Sequence, residues 1–138
     1  MNALVDTSVW SLAYRRSAAS LNPTERKLRS ELAELMRESR VKVIGPVCQE
    51  LLSGIRDRNQ FDLIWGDLLA FSEEALTLWD YRRGAEISNQ LRSKGITGHI
   101  VDCLICAVAL DRGFSVFSTD QDFRHYAKHI PIRLHALR

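Results

Sequence analysis

A chain of 138 residues with 46% hydrophobic and 26% charged side chains has the makeup of one soluble globular domain, residues 1–138, able to bury a real core. No apolar run approaches the length of a membrane span, and the amino end has neither the basic nor the apolar region of a secretory signal, so no membrane role is expected and the cytoplasm is the expected compartment. A net charge of +2 is too small to mark a nucleic-acid binder by bulk charge alone.

The cations are nearly all arginine, with lysine only at Lys27, Lys42, Lys94 and Lys128. Arginine suits bidentate phosphate contacts. The three cysteines, Cys48, Cys103 and Cys106, are odd in number, and in a reducing compartment disulfides are not expected.

In chain order, Ala3-Leu4-Val5 runs apolar into Asp6 and then into two hydroxyls, Thr7 and Ser8. Such a run reads as a buried parallel strand. Thr7 or Ser8 would cap a helix starting around Val9 and Trp10. Asp6 would then stand at the carboxyl end of a strand, where open α/β sheets place their ligands. A plain helix cap is the competing role for it. Trp10, Leu12, Ala13 and Tyr14 fill a short helix that stops at Arg15-Arg16-Ser17. Asn22-Pro23-Thr24-Glu25 then announces a second helix, with a cap, a proline at the first helical position and the glutamate of a capping box. Leu28, Leu32, Leu35 and Met36 carry its apolar stripe to about Ser39.

Residues 41–44 form the second strand. Gly45-Pro46 opens a third helix, with Val47, Leu51 and Ile55 on one face and Glu50 in its second turn. Arg56-Asp57-Arg58 would close it, and another helix carries Phe61, Ile64, Trp65, Leu68 and Leu69. Residues 75–78 are the expected third strand. Asp80 would cap the following helix, which turns Tyr81, Ala85, Ile87 and Leu91 inward and ends at Lys94-Gly95. Residues 100–110 are apolar almost all round, as in a buried helix, which makes Asp102 in its first turns stand out. Gly113 ends it, residues 114–118 form a fourth strand, and Thr119-Asp120-Gln121-Asp122-Phe123 follows. A short helix to about Lys128 and a strand over residues 130–134 complete the chain. Strands alternating with helices predict an α/β fold, a parallel sheet covered on both faces.

Carboxylates therefore recur at comparable junctions: Asp6, Glu50, Asp102, and the pair Asp120 and Asp122. Gathering like charges costs several kcal/mol unless cations compensate. Hard oxygen donors with no cysteine or histidine beside them favour magnesium or manganese. Two such ions serve phosphodiester cleavage.

Taken together, Val5-Asp6-Thr7-Ser8-Val9-Trp10, Glu50 early in its helix, Asp102-Cys103-Leu104-Ile105-Cys106-Ala107 and Ser118-Thr119-Asp120-Gln121-Asp122-Phe123 resemble PIN-domain ribonucleases, and most of all the VapC-type toxins of toxin–antitoxin pairs. The resemblance covers nearly the whole chain. It implies a three-layer α/β/α domain with strand order 3-2-1-4-5 and a magnesium-dependent endoribonuclease, manganese able to substitute, acting on structured RNA such as tRNA. It implies Asp6, Glu50, Asp102 and Asp120 as catalytic acids, Asp6, Asp102, Asp120 and Asp122 around the metal, and Ser8 and Thr119 as supporting hydroxyls. It also implies an antitoxin protein partner, docked on apolar surface beside the helix from Pro23 and the one after it, and a homodimer. Cys103 and Cys106 depart from the small aliphatic residues usual in that helix and read as packing substitutions.

Among other features, Cys103-x-x-Cys106 lacks a second ligand pair for zinc, so core packing is the expected role. His125-x-x-x-His129 has one-face helical spacing without the glutamate of a zincin, and solvated histidines are expected. Arg15, Arg16 and Arg56 are candidates to track RNA phosphates, as are Arg58, Arg82 and Arg83. Three rival readings are weighed. A receiver-like signalling domain would want paired acids after the first strand and a late lysine. A PIN scaffold without catalysis would not need the acidic set. A flap-type DNA nuclease normally has a longer chain.

Overall fold

The computed structural model describes the backbone of residues 1–138 and every side chain but that of Ser72. Its elements are β1 (Ala3–Val5), α1 (Thr7–Tyr14), a 3-10 turn (Ala18–Ser20), α2 (Pro23–Arg37), β2 (Val41–Val43), α3 (Gly45–Leu52), α4 (Arg58–Leu69), β3 (Ser72–Glu73), α5 (Leu78–Ser93), α6 (Ile100–Arg112), β4 (Ser115–Phe117), α7 (Asp122–Tyr126) and β5 (Arg133–Leu134). The five strands form one sheet in the order β3-β2-β1-β4-β5, every pair parallel. Helices cover both faces, the expected α/β/α layering. The order also removes the receiver reading, because receiver domains follow the flavodoxin-like order 2-1-3-4-5.

β1 is central because all three of its side chains are fully buried, which only a strand flanked on both edges and both faces allows. Its register against β4 pairs Val5 with Phe117, and the Asp6 N–H donates to the Phe117 carbonyl at 2.9 Å. The two strand ends therefore lie level. Trp10 is fully buried, packs tilted against Phe71 with ring centroids 5.3 Å apart, and its indole N–H donates to the Val5 carbonyl at 3.2 Å. That one side chain locks α1 onto the strand it follows. Burying it removes the largest side chain of the core from water, and even a Leu-sized side chain contributes about 1.5–3 kcal/mol on this count.

α6 is the buried helix its composition predicts: every residue from Cys103 through Ala109 is buried. It packs along α5, where Gly84 allows close approach. A Cβ there would sit 3.5 Å from the Leu104 backbone. Gly113 stops α6 in the left-handed conformation, φ 70, which costs glycine nothing.

Several expected boundaries shift. Helix α1 starts at Thr7 with Asp6, not Thr7 or Ser8, in the capping position. α2 carries the expected capping box between Asn22 and Glu25. α3 stops at Leu52, because Asp57 caps a new helix by accepting the Asn59 N–H at 2.9 Å. The third strand is Ser72–Glu73 and not residues 75–78. Edge pairing there is fixed by the Glu74 N–H donating to the Val43 carbonyl at 2.9 Å and by a Lys42–Glu74 ion pair at 3.5 Å. Thr77, not Asp80, occupies the α5 cap, and its N–H donates to the Asp80 carboxylate at 2.9 Å. Gly84, Ile87 and Leu91 face inward, whereas Tyr81 and Ala85 are exposed. Trp65 and Leu69 of α4 are exposed too, at 46% and 66%.

Candidate active site

The site is built where β1 and β4 end side by side. Asp6 is only 7% exposed. It stands at the α1 cap position yet makes no capping bond with its side chain. Its Oδ2 instead accepts the Ser8 hydroxyl and the Ser118 hydroxyl, each at 2.8 Å. This geometry removes the simple helix-cap role. Ser8 Oγ also accepts the Thr119 N–H at 3.0 Å, and Ser118 Oγ accepts the Asp120 N–H at 2.9 Å. Two hydroxyls thus stitch the turn after β1 to the turn after β4. Ser118, next to the expected Thr119, also gives its hydroxyl to Asp6, and Thr119 meets Ser8 through its backbone N–H. The strand register was the missing clue: if Val5 faces Phe117, Asp6 faces Ser118.

Asp102 enters from the first turn of α6. Its Oδ2 accepts the Tyr126 hydroxyl at 3.1 Å, a partner that nothing local in the sequence signals. Burial pushes the Asp102 carboxyl up to about 6. The Tyr126 hydroxyl opposes that rise, Asp6 and Asp120 add to it, and His99 at the helix cap counters it weakly. Burial and the Asp102 charge in turn push the Tyr126 phenol well above its ordinary value. Asp120 is exposed, and its Oδ1 accepts the Asp122 N–H at 2.9 Å. One carboxylate oxygen from each of Asp102, Asp120 and Asp122 lies within 4.8 Å of the others. Asp6 is outside that trio but close enough to raise the proton affinity of Asp102.

Glu50 stands on α3 at another wall of the same cleft, about 550 Å³ in volume, which Asp6, Ser8, His99, Asp102 and Asp120 also line. The Thr7 hydroxyl donates to Glu50 Oε2 at 2.8 Å. No lysine or arginine lines the cleft among the described residues. Crowded carboxylates without a lysine or arginine partner, one of them holding its proton to about 6, fit a hard divalent cation bound by Asp102, Asp120 and Asp122 with Asp6 beside them.

The candidate RNA contacts divide. Arg15 spends its guanidinium on the carbonyls of Glu50, Leu51 and Ser53, at 2.5, 2.6 and 2.9 Å, where α3 ends. It fastens the Glu50 helix to α1. Arg16 pairs with Glu25 and donates to the Ser20 carbonyl. Arg56 is exposed on the connection before α4. Cys103 and Cys106 are free thiols inside the core, raised in pKa by burial, as packing residues should be. His125 lies in α7 but His129 lies beyond its end at Tyr126, so the two do not share a helical face, and both are exposed.

The model of the PIN domain family matches residues 3–129. The VapC ribonuclease Mb1587 of Mycobacterium bovis is 33% identical over 126 residues, which cover 87% of this chain and 87% of that protein. Among solved structures, VapBC2 of Rickettsia felis bound to a DNA fragment from its promoter aligns with a TM-score of 0.71 at 16% identity, over 98% of both chains. VapC20 of Mycobacterium tuberculosis, a sarcin–ricin loop cleaving toxin, aligns with a TM-score of 0.69 at 18% identity, over 96% of this chain and 99% of that one. The structural likenesses establish the sheet order and layering; the sequence matches go further. The chain belongs to the PIN-domain family, in its VapC ribonuclease branch.

Proposed function

We propose that the protein is an endoribonuclease toxin that needs magnesium, or manganese in its place, and cuts a structured RNA such as tRNA in the cytoplasm. The observation that carries this reading is the crowding of Asp6, Asp102 and Asp120 where the ends of β1 and β4 meet the first turn of α6, without a lysine or arginine in their cleft. A bound divalent ion supplies Lewis acidity and neutralises the negative charge that a phosphodiester brings to these acids. Asp102, Asp120 and Asp122 hold it, while the Ser8 and Ser118 hydroxyls aim Asp6 at the same place. Glu50, held at Oε2 by Thr7, keeps Oε1 to accept a proton from the attacking water. An inactive scaffold would have no use for this assembled set.

The partner follows from the relatives, which include toxin–antitoxin complexes. An apolar groove between α3 and α4, about 580 Å³ and lined by Leu52, Phe61, Trp65 and Leu69, suits an apolar antitoxin segment. Exposed Leu78, Trp79, Tyr81 and Ile100 suit a homodimer contact. No helix of the described residues is long and apolar enough to cross a membrane.

The test is cleavage of total tRNA and ribosomal RNA by the purified protein in magnesium, repeated in excess EDTA. Cleavage that vanishes with chelator and returns with magnesium is expected. Activity indifferent to EDTA defeats the reading.

A further inference from the structure

An RNA strand crossing the acidic cleft has to continue past Asp120, and the cleft itself repels its next phosphate. A second groove, about 560 Å³, meets the cleft at Asp120. Its volume lies within the range of about 300–1,000 Å³ typical of small-ligand sites. Its walls come from the amino end of α2, the end of β4 and the turn over residues 118–121, the first turn of α7, and the end of β5 with the chain after it.

The chemistry of this groove differs from that of the cleft. Arg124 is exposed and lines it. Among the described residues no carboxylate lies within ion-pair distance of that guanidinium, whereas Arg16 is neutralised by Glu25. Leu28, Leu134 and Leu137 give the groove an apolar wall, with Leu134 and Leu137 left 39% and 42% exposed. Asn22 accepts the Glu25 N–H through its Oδ1, which leaves its amide NH2 to donate. Gln121 lines the groove as well, and among the described residues its amide has no hydrogen-bond partner. A free cation, an apolar wall and two amides next to a phosphodiester-cleaving site are what a nucleotide needs. The guanidinium takes a phosphate, the wall takes the flat face of a base, and the amides read its edge.

We propose that this groove seats the nucleotide flanking the scissile bond, its phosphate on Arg124 and its base on Leu134 and Leu137, within reach of Asn22 and Gln121. It is thus the specificity pocket of the ribonuclease proposed above, and the inference rests on that reading. The test is steady-state cleavage of a labelled RNA pool of mixed sequence by wild type, Arg124→Ala and Gln121→Ala. Arg124→Ala is expected to raise KM about tenfold, the worth of one charge-assisted contact, with the loss falling on KM more than on kcat. It should also lower the log–log salt slope of RNA binding by about 0.7, the share of one single-strand phosphate. Gln121→Ala is expected to change which base is preferred beside the cut.

Affinity for the same RNA, read by anisotropy in an Asp6→Asn background, separates the two readings. If wild type cleaves no RNA but Arg124→Ala still weakens binding and lowers the slope, the groove stands and the ribonuclease reading falls. Wild-type KM, salt slope and base preference in both variants overturn the groove. So does an Arg124→Ala protein that binds RNA normally but escapes neutralisation by a co-expressed antitoxin, since the groove would then belong to a protein.

Discussion

Glu31 and Asp6 are buried to nearly the same depth, 5% and 7% exposed, yet they are satisfied in opposite ways. Glu31 on α2 receives the Arg138 guanidinium at 2.9 Å and the Arg138 N–H at 3.3 Å, with His135 3.7 Å away. Burial pushes its carboxyl up, but the Arg138 hydrogen bonds together with the charges of Arg138 and His135 outweigh that and hold it below the usual carboxylate range. Asp80, 6% exposed, is likewise met by Arg112 at 3.1 Å. Asp6 has two neutral hydroxyls and, as its charged neighbours, other acids. A buried acid that owns a guanidinium is a strut of the fold. One that has only hydroxyl donors among like charges is held for a cation from outside.

The largest test of this contrast exchanges one atom in each acid. Asp6→Asn keeps an oxygen to accept both serine hydroxyls, so the metal-free protein should melt at the same or a higher temperature than wild type. Cleavage should nevertheless fall at least about a hundredfold, and most of the thermal shift that magnesium produces by binding the folded state should vanish. Glu31→Gln should do the reverse, leaving cleavage and the magnesium shift intact while costing about 1–2 kcal/mol of stability, reduced because Arg138 is half exposed. Differential scanning fluorimetry with and without magnesium reads both. An Asp6→Asn protein with the full magnesium shift would dissolve the distinction.

The same two acids predict opposite pH dependences. Asp102 holds its proton to about 6 in the folded chain, against an ordinary value of 3.8. Between those limits the folded state binds more protons than the unfolded one, so its contribution to stability falls as pH rises, by an amount on the order of 2 kcal/mol. Glu31 is lowered; its contribution is present above the ordinary carboxylate value and is lost as pH falls through its own. In chelator, Asp102→Asn should therefore flatten the decline toward neutral pH, and Glu31→Gln should flatten the acid limb. Magnesium should mimic Asp102→Asn by competing with the proton. Unchanged pH profiles of urea unfolding in both variants would count against the assignment.

The smallest effects concern the scaffold of Glu50. Arg15→Ala should cost on the order of 1 kcal/mol and lower kcat, because it frees the end of α3 from α1. If Arg15 met RNA directly, KM and the salt slope would move instead. Thr7→Val should slow cleavage only a few-fold, the worth of about one hydrogen bond.

What the chain discloses before folding follows from how local each signal is. Asp6 after an apolar triplet, the Asn22–Glu25 capping box and the apolar run of α6 from Cys103 to Leu110 are each written in adjacent residues, and each lies where expected. The acids themselves were legible as a set only because every one sits at a strand or helix end. β3 was misplaced because its two residues, Ser72 and Glu73, carry no apolar alternation, while residues 75–78 do; edge position and pairing to Val43 overrode pattern. Ser118, Tyr126 and the carbonyl grip of Arg15 were not legible, since each joins residues that only the sheet register or helix docking brings together. Trp65 and Leu69 fit the helical period but face outward, and a period states spacing without saying which face is covered.

The Ser8 and Ser118 bridge also bears on timing. Asp6 is synthesised before the group that steadies it: the hydroxyl of Ser118 lies 112 positions later in the chain, with Asp120 and Asp122 just beyond. Until β4 has left the ribosome and paired beside β1, Asp6 lacks the Ser118 hydroxyl and stands apart from Asp120 and Asp122. The acids thus come together only after the chain through Asp122 has emerged and β4 has paired beside β1.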